Sequence, residues 1–114
     1  MRTYILDLGK FRKKAGKTVL KVFTGRDYGA DVRDRSKLDS EFVSNDCVVL
    51  KIPTDTFSIT PSFLEELFYN IVKDHGKEAL LERLKFDESN VYEIEEPLSE
   101  AIDRILQKIN GLSR

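Results

Sequence analysis

Ser58, Thr60 and Ser62 are hydroxyls spaced two apart in Phe57-Ser58-Ile59-Thr60-Pro61-Ser62-Phe63. Thr60 followed by Pro61 reads as a helix start: Thr60 is a good cap, and Pro61 sits where its missing N–H is not needed. Free backbone N–H groups and the helix dipole make such a place receptive to an anion. A phosphate on Thr60 or Ser62 would bring about −1.5 to −2 charges there. The plainer alternative is that Thr60 only caps the helix and the two serines satisfy nearby backbone groups. A second polar group is Arg26, Asp27 and Arg33 around Tyr28. Asp27, Asp31 and Asp34 alternate with Arg26, Arg33 and Arg35, which cancels most of any net field.

Other reactive residue types lack the company their chemistry requires. Gly16-Lys17-Thr18 resembles the end of a phosphate-binding loop, but Phe11 stands where the earlier glycine is needed. The residues that follow also read as a strand, not the helix such a loop requires. His75 is the only histidine, and it falls near a helix end beside Gly76, where a surface cation suits the dipole. A zinc site would then need carboxylates or Cys47 at no recognisable spacing. Cys47 is the only cysteine and opens an apolar run, which suits a small core residue. It also rules out an internal disulfide. Glu65, Glu66, Glu78, Asp87, Glu93, Glu95 and Glu96 read as solvated surface; Asp55, close to Phe57, is the one acid with apolar surroundings in view. No metal or cofactor is expected. Lys10, Arg12, Lys13, Lys14 and Lys17 make a basic loop, read as a solvated turn rather than a phosphate-backbone contact.

Composition narrows the field further. A length of 114 residues suits one domain spanning residues 1–114. The net charge of −1 gives no long-range reason to expect nucleic acid. No run reaches the ~18–20 apolar residues of a membrane span, and residues 1–8 lack the pattern of a signal peptide. A cytoplasmic location is the default expectation.

The elements that must position these residues follow from periodicity. Residues 3–8 and 18–23 read as strands that could pair antiparallel across the basic loop. Thr24 is expected to cap a helix over residues 26–43, with a break near Ser36. Residues 47–52 carry four consecutive apolar residues before Lys51, the pattern of a central strand covered on both faces. The helix over residues 60–73 is the clearest element, with Phe63, Leu64, Leu67, Phe68, Ile71 and Val72 on one stripe and Glu65 and Glu66 on the other face. A short helix over 78–84, an edge strand near 85–87 and a last helix opened by Pro97 and ended by Gly111 complete an α/β chain. An exposed edge at residues 3–8 allows either a monomer or a homodimer.

Two segments resemble the bacterial STAS-like domain family of uncharacterised function. Thr24-Gly25-Arg26-Asp27-Tyr28-Gly29-Ala30-Asp31-Val32-Arg33 is similar to that family's Arg-Gly-Arg helix start. Residues 48–68 are similar to its apolar strand and following helix, with Thr60, Ser62, Phe63, Glu66 and Leu67 as the matching positions, and Lys85-Phe86 resembles a later strand. The likeness spans roughly residues 21–86. It implies a mixed sheet of about four strands with helices packed against it. It also implies kinship of fold with anti-sigma factor antagonists, whose serine at the corresponding helix start is phosphorylated by a histidine-kinase-like ATPase. Here Ile59 stands near the Asp of that turn, and Pro61 or Ser62 near its modified Ser.

The expectation is therefore a non-enzymatic regulatory, protein-interaction domain. Its surface would be residues 58–62 with the exposed face of the next helix, its partner a histidine-kinase-like ATPase, and Arg26, Asp27 and Arg33 a secondary surface. The alternatives are a small enzyme with a pocket near Arg26, Asp27 and the Thr60 helix start, and a nucleic-acid binder using residues 10–17.

Overall fold

The computed structural model describes residues 1–111. At its centre lies a strand read from the sequence as covered on both faces, Cys47–Lys51 (β5). It is flanked by Thr3–Asp7 (β1) and Leu84–Phe86 (β7), both parallel to it, so the order is β1-β5-β7. Val48 and Leu50 are fully buried, Cys47 is buried and Val49 half-buried, which is why the run does not alternate with polar residues. Pro53 cannot extend the ladder. Asn90 continues it instead: its side chain accepts from the Ile52 amide at 2.9 Å and donates to the Leu50 carbonyl at 2.9 Å.

The expected antiparallel pairing of residues 3–8 with 18–23 does not form. A short 3-10 turn at Leu8–Phe11 leads away from β1, and the second segment splits. Lys14–Ala15 (β2) and Thr18–Val19 (β3) fold back on each other across Gly16-Lys17. Gly16, at φ 64°, supplies the left-handed backbone that a two-residue hairpin turn needs. Val22–Phe23 (β4) pairs instead, in parallel, with Ser58–Ile59 (β6). Among the described residues the strands thus form one three-stranded parallel sheet and two short ladders, one of them antiparallel, within an α/β fold.

The helices are Arg26–Ser36 (α1), Leu38–Ser44 (α2), Pro61–His75 (α3), Lys77–Arg83 (α4) and Glu95–Asn110 (α5). The break expected near Ser36 falls at Lys37, a non-glycine residue at φ 56° that ends α1 and opens α2. Thr24 does not cap α1. Gly25, at φ 91°, holds the cap position, and no side chain bonds there from its own residue. The last helix begins two residues before Pro97, which sits in its first turn, where proline is tolerated. Gly76, at φ 95°, ends α3. Helix α3 lies between α1 and α5, and α2 rests against β1 and β5. One core joins them: Leu6, Phe23, Phe42, Leu50, Phe63 and Phe68 are all buried in it.

Candidate functional site

Strands β4 and β6 run in parallel, so both hand the chain to a helix at the same end: β4 to α1 and β6 to α3. Crevices outside the carboxyl ends of parallel strands are where α/β folds place binding sites. The Thr60 amide donates to the Phe23 carbonyl at 3.0 Å and fastens the two exits together.

Thr60 then serves two helices. Its Oγ1 accepts from the Phe63 amide of α3 at 3.4 Å and from the Gly25 amide, at the start of α1, at 3.2 Å. The cap role read from the sequence holds, and the same hydroxyl does for α1 what Thr24 was expected to do. With two amides donating to it, Thr60 has both lone pairs engaged. Its remaining proton points the 3.1 Å contact with Ser62 Oγ in one direction, Thr60 donating. Ser62 therefore keeps its own proton and a lone pair, and it is half-buried on the first turn of α3. Ser58, half-buried within β6, lies opposite Val22.

Next to these hydroxyls the chain exposes apolar surface. Phe57 is 81% exposed, although its amide is fixed to the Lys21 carbonyl at 2.7 Å. The Ile59 amide donates to the Tyr92 hydroxyl at 2.9 Å, which brings the 87–94 loop against β6. Val91, one residue from Tyr92, is also exposed. Exposed apolar side chains grouped with polar neighbours are the usual mark of a protein contact.

The secondary group behaves differently. Arg26 and Arg33 are two helical turns apart on α1, and both reach across to α3. Arg26 meets Glu65 at 3.2 Å; Arg33 donates to the Glu66 carbonyl at 2.6 Å and to its carboxylate at 3.2 Å. Asp27 is exposed in the first turn of α1 and stays outside this pair of rungs. Between the rungs, Gly29 lets the helices touch: a Cβ there would stand 2.2 Å from the Phe63 carbonyl oxygen. Arg26, Asp27 and Arg33 are thus not one free surface, because two of them join helices.

Glu65 overturns the expectation of a solvated acid. It is 0% exposed and lies under three cations, Arg26, Arg104 at 3.8 Å and Lys108 against Oε2. Periodicity had put it opposite the apolar stripe. That face is covered as well, because α1 and α5 close on α3 from two sides. The cations of α5 were the available signal: Arg104 and Lys108 lie one turn apart on a helix whose other face is apolar. The same packing removes the exposed face of α3 from the expected docking surface.

Asp55 is likewise not in an apolar setting. Its carboxylate is solvent-facing and receives both arms of Arg12, at 3.1 and 3.2 Å, which holds its pKa below the usual carboxylate value. The basic loop is partly committed too: Arg12 also donates to the Leu20 carbonyl at 3.1 Å, and Lys13 lies 4.3 Å from the Tyr28 ring centre. His75 is exposed at the last residue of α3, and Cys47 is buried beside Thr3 Oγ1 at 3.4 Å. Among the described residues no group of three or more His, Cys, Asp or Glu is placed to share a metal ion, and no helix is long and apolar enough to cross a membrane.

Compared with known families, residues 37–92 match the model of a STAS-like domain of unknown function. The likeness read from residues 48–68 and Lys85-Phe86 lies inside that span; the segment 24–33 lies outside it. No curated protein and no solved structure matches the chain.

Proposed function

We propose, from the match of residues 37–92 to a STAS-like domain family, that this chain is a non-enzymatic interaction module of a bacterial regulatory system. Its partner is a histidine-kinase-like ATPase, and its docking surface is Phe57 with the entry to α3. The observation that carries this reading is Phe57. A side chain 81% exposed would be an unrewarded hydrophobe in an isolated domain, and it directly precedes the three hydroxyls at Ser58, Thr60 and Ser62 in the chain. If the ATPase transfers phosphate, Ser62 is the acceptor. Modifying Thr60 would withdraw the oxygen that receives the Gly25 and Phe63 amides.

An enzyme built on Arg26, Asp27 and the Thr60 helix start has less support. The cavity beside Arg26 is lined by Glu65, Arg104, Gln107 and Lys108, and it includes neither Asp27 nor Thr60.

Binding to a purified bacterial histidine-kinase-like ATPase tests the reading, with mass spectrometry after incubation with ATP. Phe57→Ser should weaken binding at least about tenfold, as expected for an aromatic anchor. Ser62→Ala should remove any phosphate and leave the fold intact. Absence of both binding and modification with the wild-type chain overturns the proposal.

A further inference from the structure

Strand β7 leaves one side of the sheet open, and its unpaired groups can be assigned. The Asp87 amide donates to the Leu50 carbonyl at 3.1 Å, and the register pairs Leu50 with Phe86. In a parallel ladder that arrangement turns Lys85 and Asp87 toward β5 and leaves the N–H and C=O of Phe86 facing outward. Phe86 is 43% exposed, and with Leu81 at 47% it borders an apolar groove of about 260 Å³ floored by Leu84, Leu98 and Ile102.

We infer that β7 pairs antiparallel with β7 of a second copy of this chain about a two-fold axis at Phe86, joining two three-stranded sheets into one of six strands. The register follows from the outward groups. A two-fold antiparallel pair centred on Phe86 exchanges both of its hydrogen bonds with the Phe86 of the second copy, so neither edge amide is left open. That centre places each Lys85 opposite the Asp87 of the other copy, twice by symmetry. Opposite charges directly across a pair are favourable, and like charges there are not. The alternative centre on Lys85 would set two lysines face to face.

Asp87 is suited to the role, since hydrogen bonds from the Ser89 hydroxyl and amide keep its carboxylate ionised. On the groove side the two Phe86 rings and the Leu81 side chains would cover one another. The other edge, β1, offers no such match, because Asp7 is its only charged residue. A three-residue ladder with a small apolar strip lies at the low end of interface sizes, so the dimer forms at high protein concentration. This goes beyond the ATPase reading and does not depend on it.

Sedimentation velocity from micromolar to millimolar concentration tests the inference. The wild-type chain should shift from monomer to dimer. Lys85→Asp should weaken the dimer at least about tenfold, because two attractive pairs become two repulsive ones. Adding Asp87→Lys to the same chain should restore it, with circular dichroism confirming that each variant is folded. Phe86→Asp should abolish the dimer. A wild-type monomer at every concentration overturns the proposal, as does a dimer that survives Phe86→Asp, one that the double exchange fails to restore, or one broken by Ile5→Lys on the opposite edge.

Discussion

A buried carboxylate under three half-exposed cations has an uneven energy balance, and Glu65 shows which side of it matters. Arg26 is about half exposed and Arg104 and Lys108 slightly less so, so each can return to water when its contact is lost. Truncating one of them to alanine should cost less than about 1 kcal/mol, as for an exposed pair. Truncating all three leaves the Glu65 carboxyl group without a partner in the core, for which about 3–5 kcal/mol is expected. In that triple background Glu65→Leu should recover most of the loss. Urea unfolding of the series checks this; equal, additive steps would show that Glu65 does not gather the cations into one unit.

Asp55 supplies a pH dependence of known sign. Its native pKa lies below the unfolded value of about 3.9, chiefly through the hydrogen bond from Arg12. The fold therefore favours the ionised form. The contribution is complete above the unfolded pKa and is lost as pH falls through the lower, native one. A titration of the Asp55 carboxyl by NMR should give a midpoint below about 3.9, and Arg12→Ala should move it back up toward that value.

At the level of elements, the α1–α3 contact holds the site together. A glycine inside a helix normally weakens it, and replacing it with alanine gains about 0.5–1 kcal/mol. At Gly29 the sign should reverse. The added methyl would meet a backbone carbonyl at 2.2 Å, which cannot rotate aside. Gly29→Ala should then destabilise by about 1–3 kcal/mol, the range for overpacking. The two helices would part near Phe63, and the Gly25 amide would leave Thr60. A thermal melt reads the first effect, and faster amide exchange at Gly25 the second. An unchanged melting temperature would mean that α1 can slide along α3 without loss.

For the molecule as a whole, the two proposed interaction surfaces lie on different strands. The ATPase reading uses β6 and the entry to α3; the dimer uses β7. Both are backed by the same core, in which α3 is enclosed by α1 and α5. Enclosure of that kind explains why the sequence pattern places the Glu65 face of α3 in solvent while the structure buries it.

What the sequence determined alone was local. Thr60-Pro61 set a helix start, Gly76 its end, and the apolar run at Cys47 a central strand, since each depends on the conformational preference or transfer energy of a few adjacent residues. The hydroxyls at Ser58, Thr60 and Ser62 were legible for the same reason. The partners of those elements were not. Parallel pairing of Thr3–Asp7 with Cys47–Lys51, and of Val22–Phe23 with Ser58–Ile59, joins residues more than thirty positions apart, and no local preference encodes such a register. Only the tertiary structure decided that the Glu65 face of α3 is buried. Burial there depends on how two other helices approach it, and the close approach of one of them is permitted by a glycine on that helix.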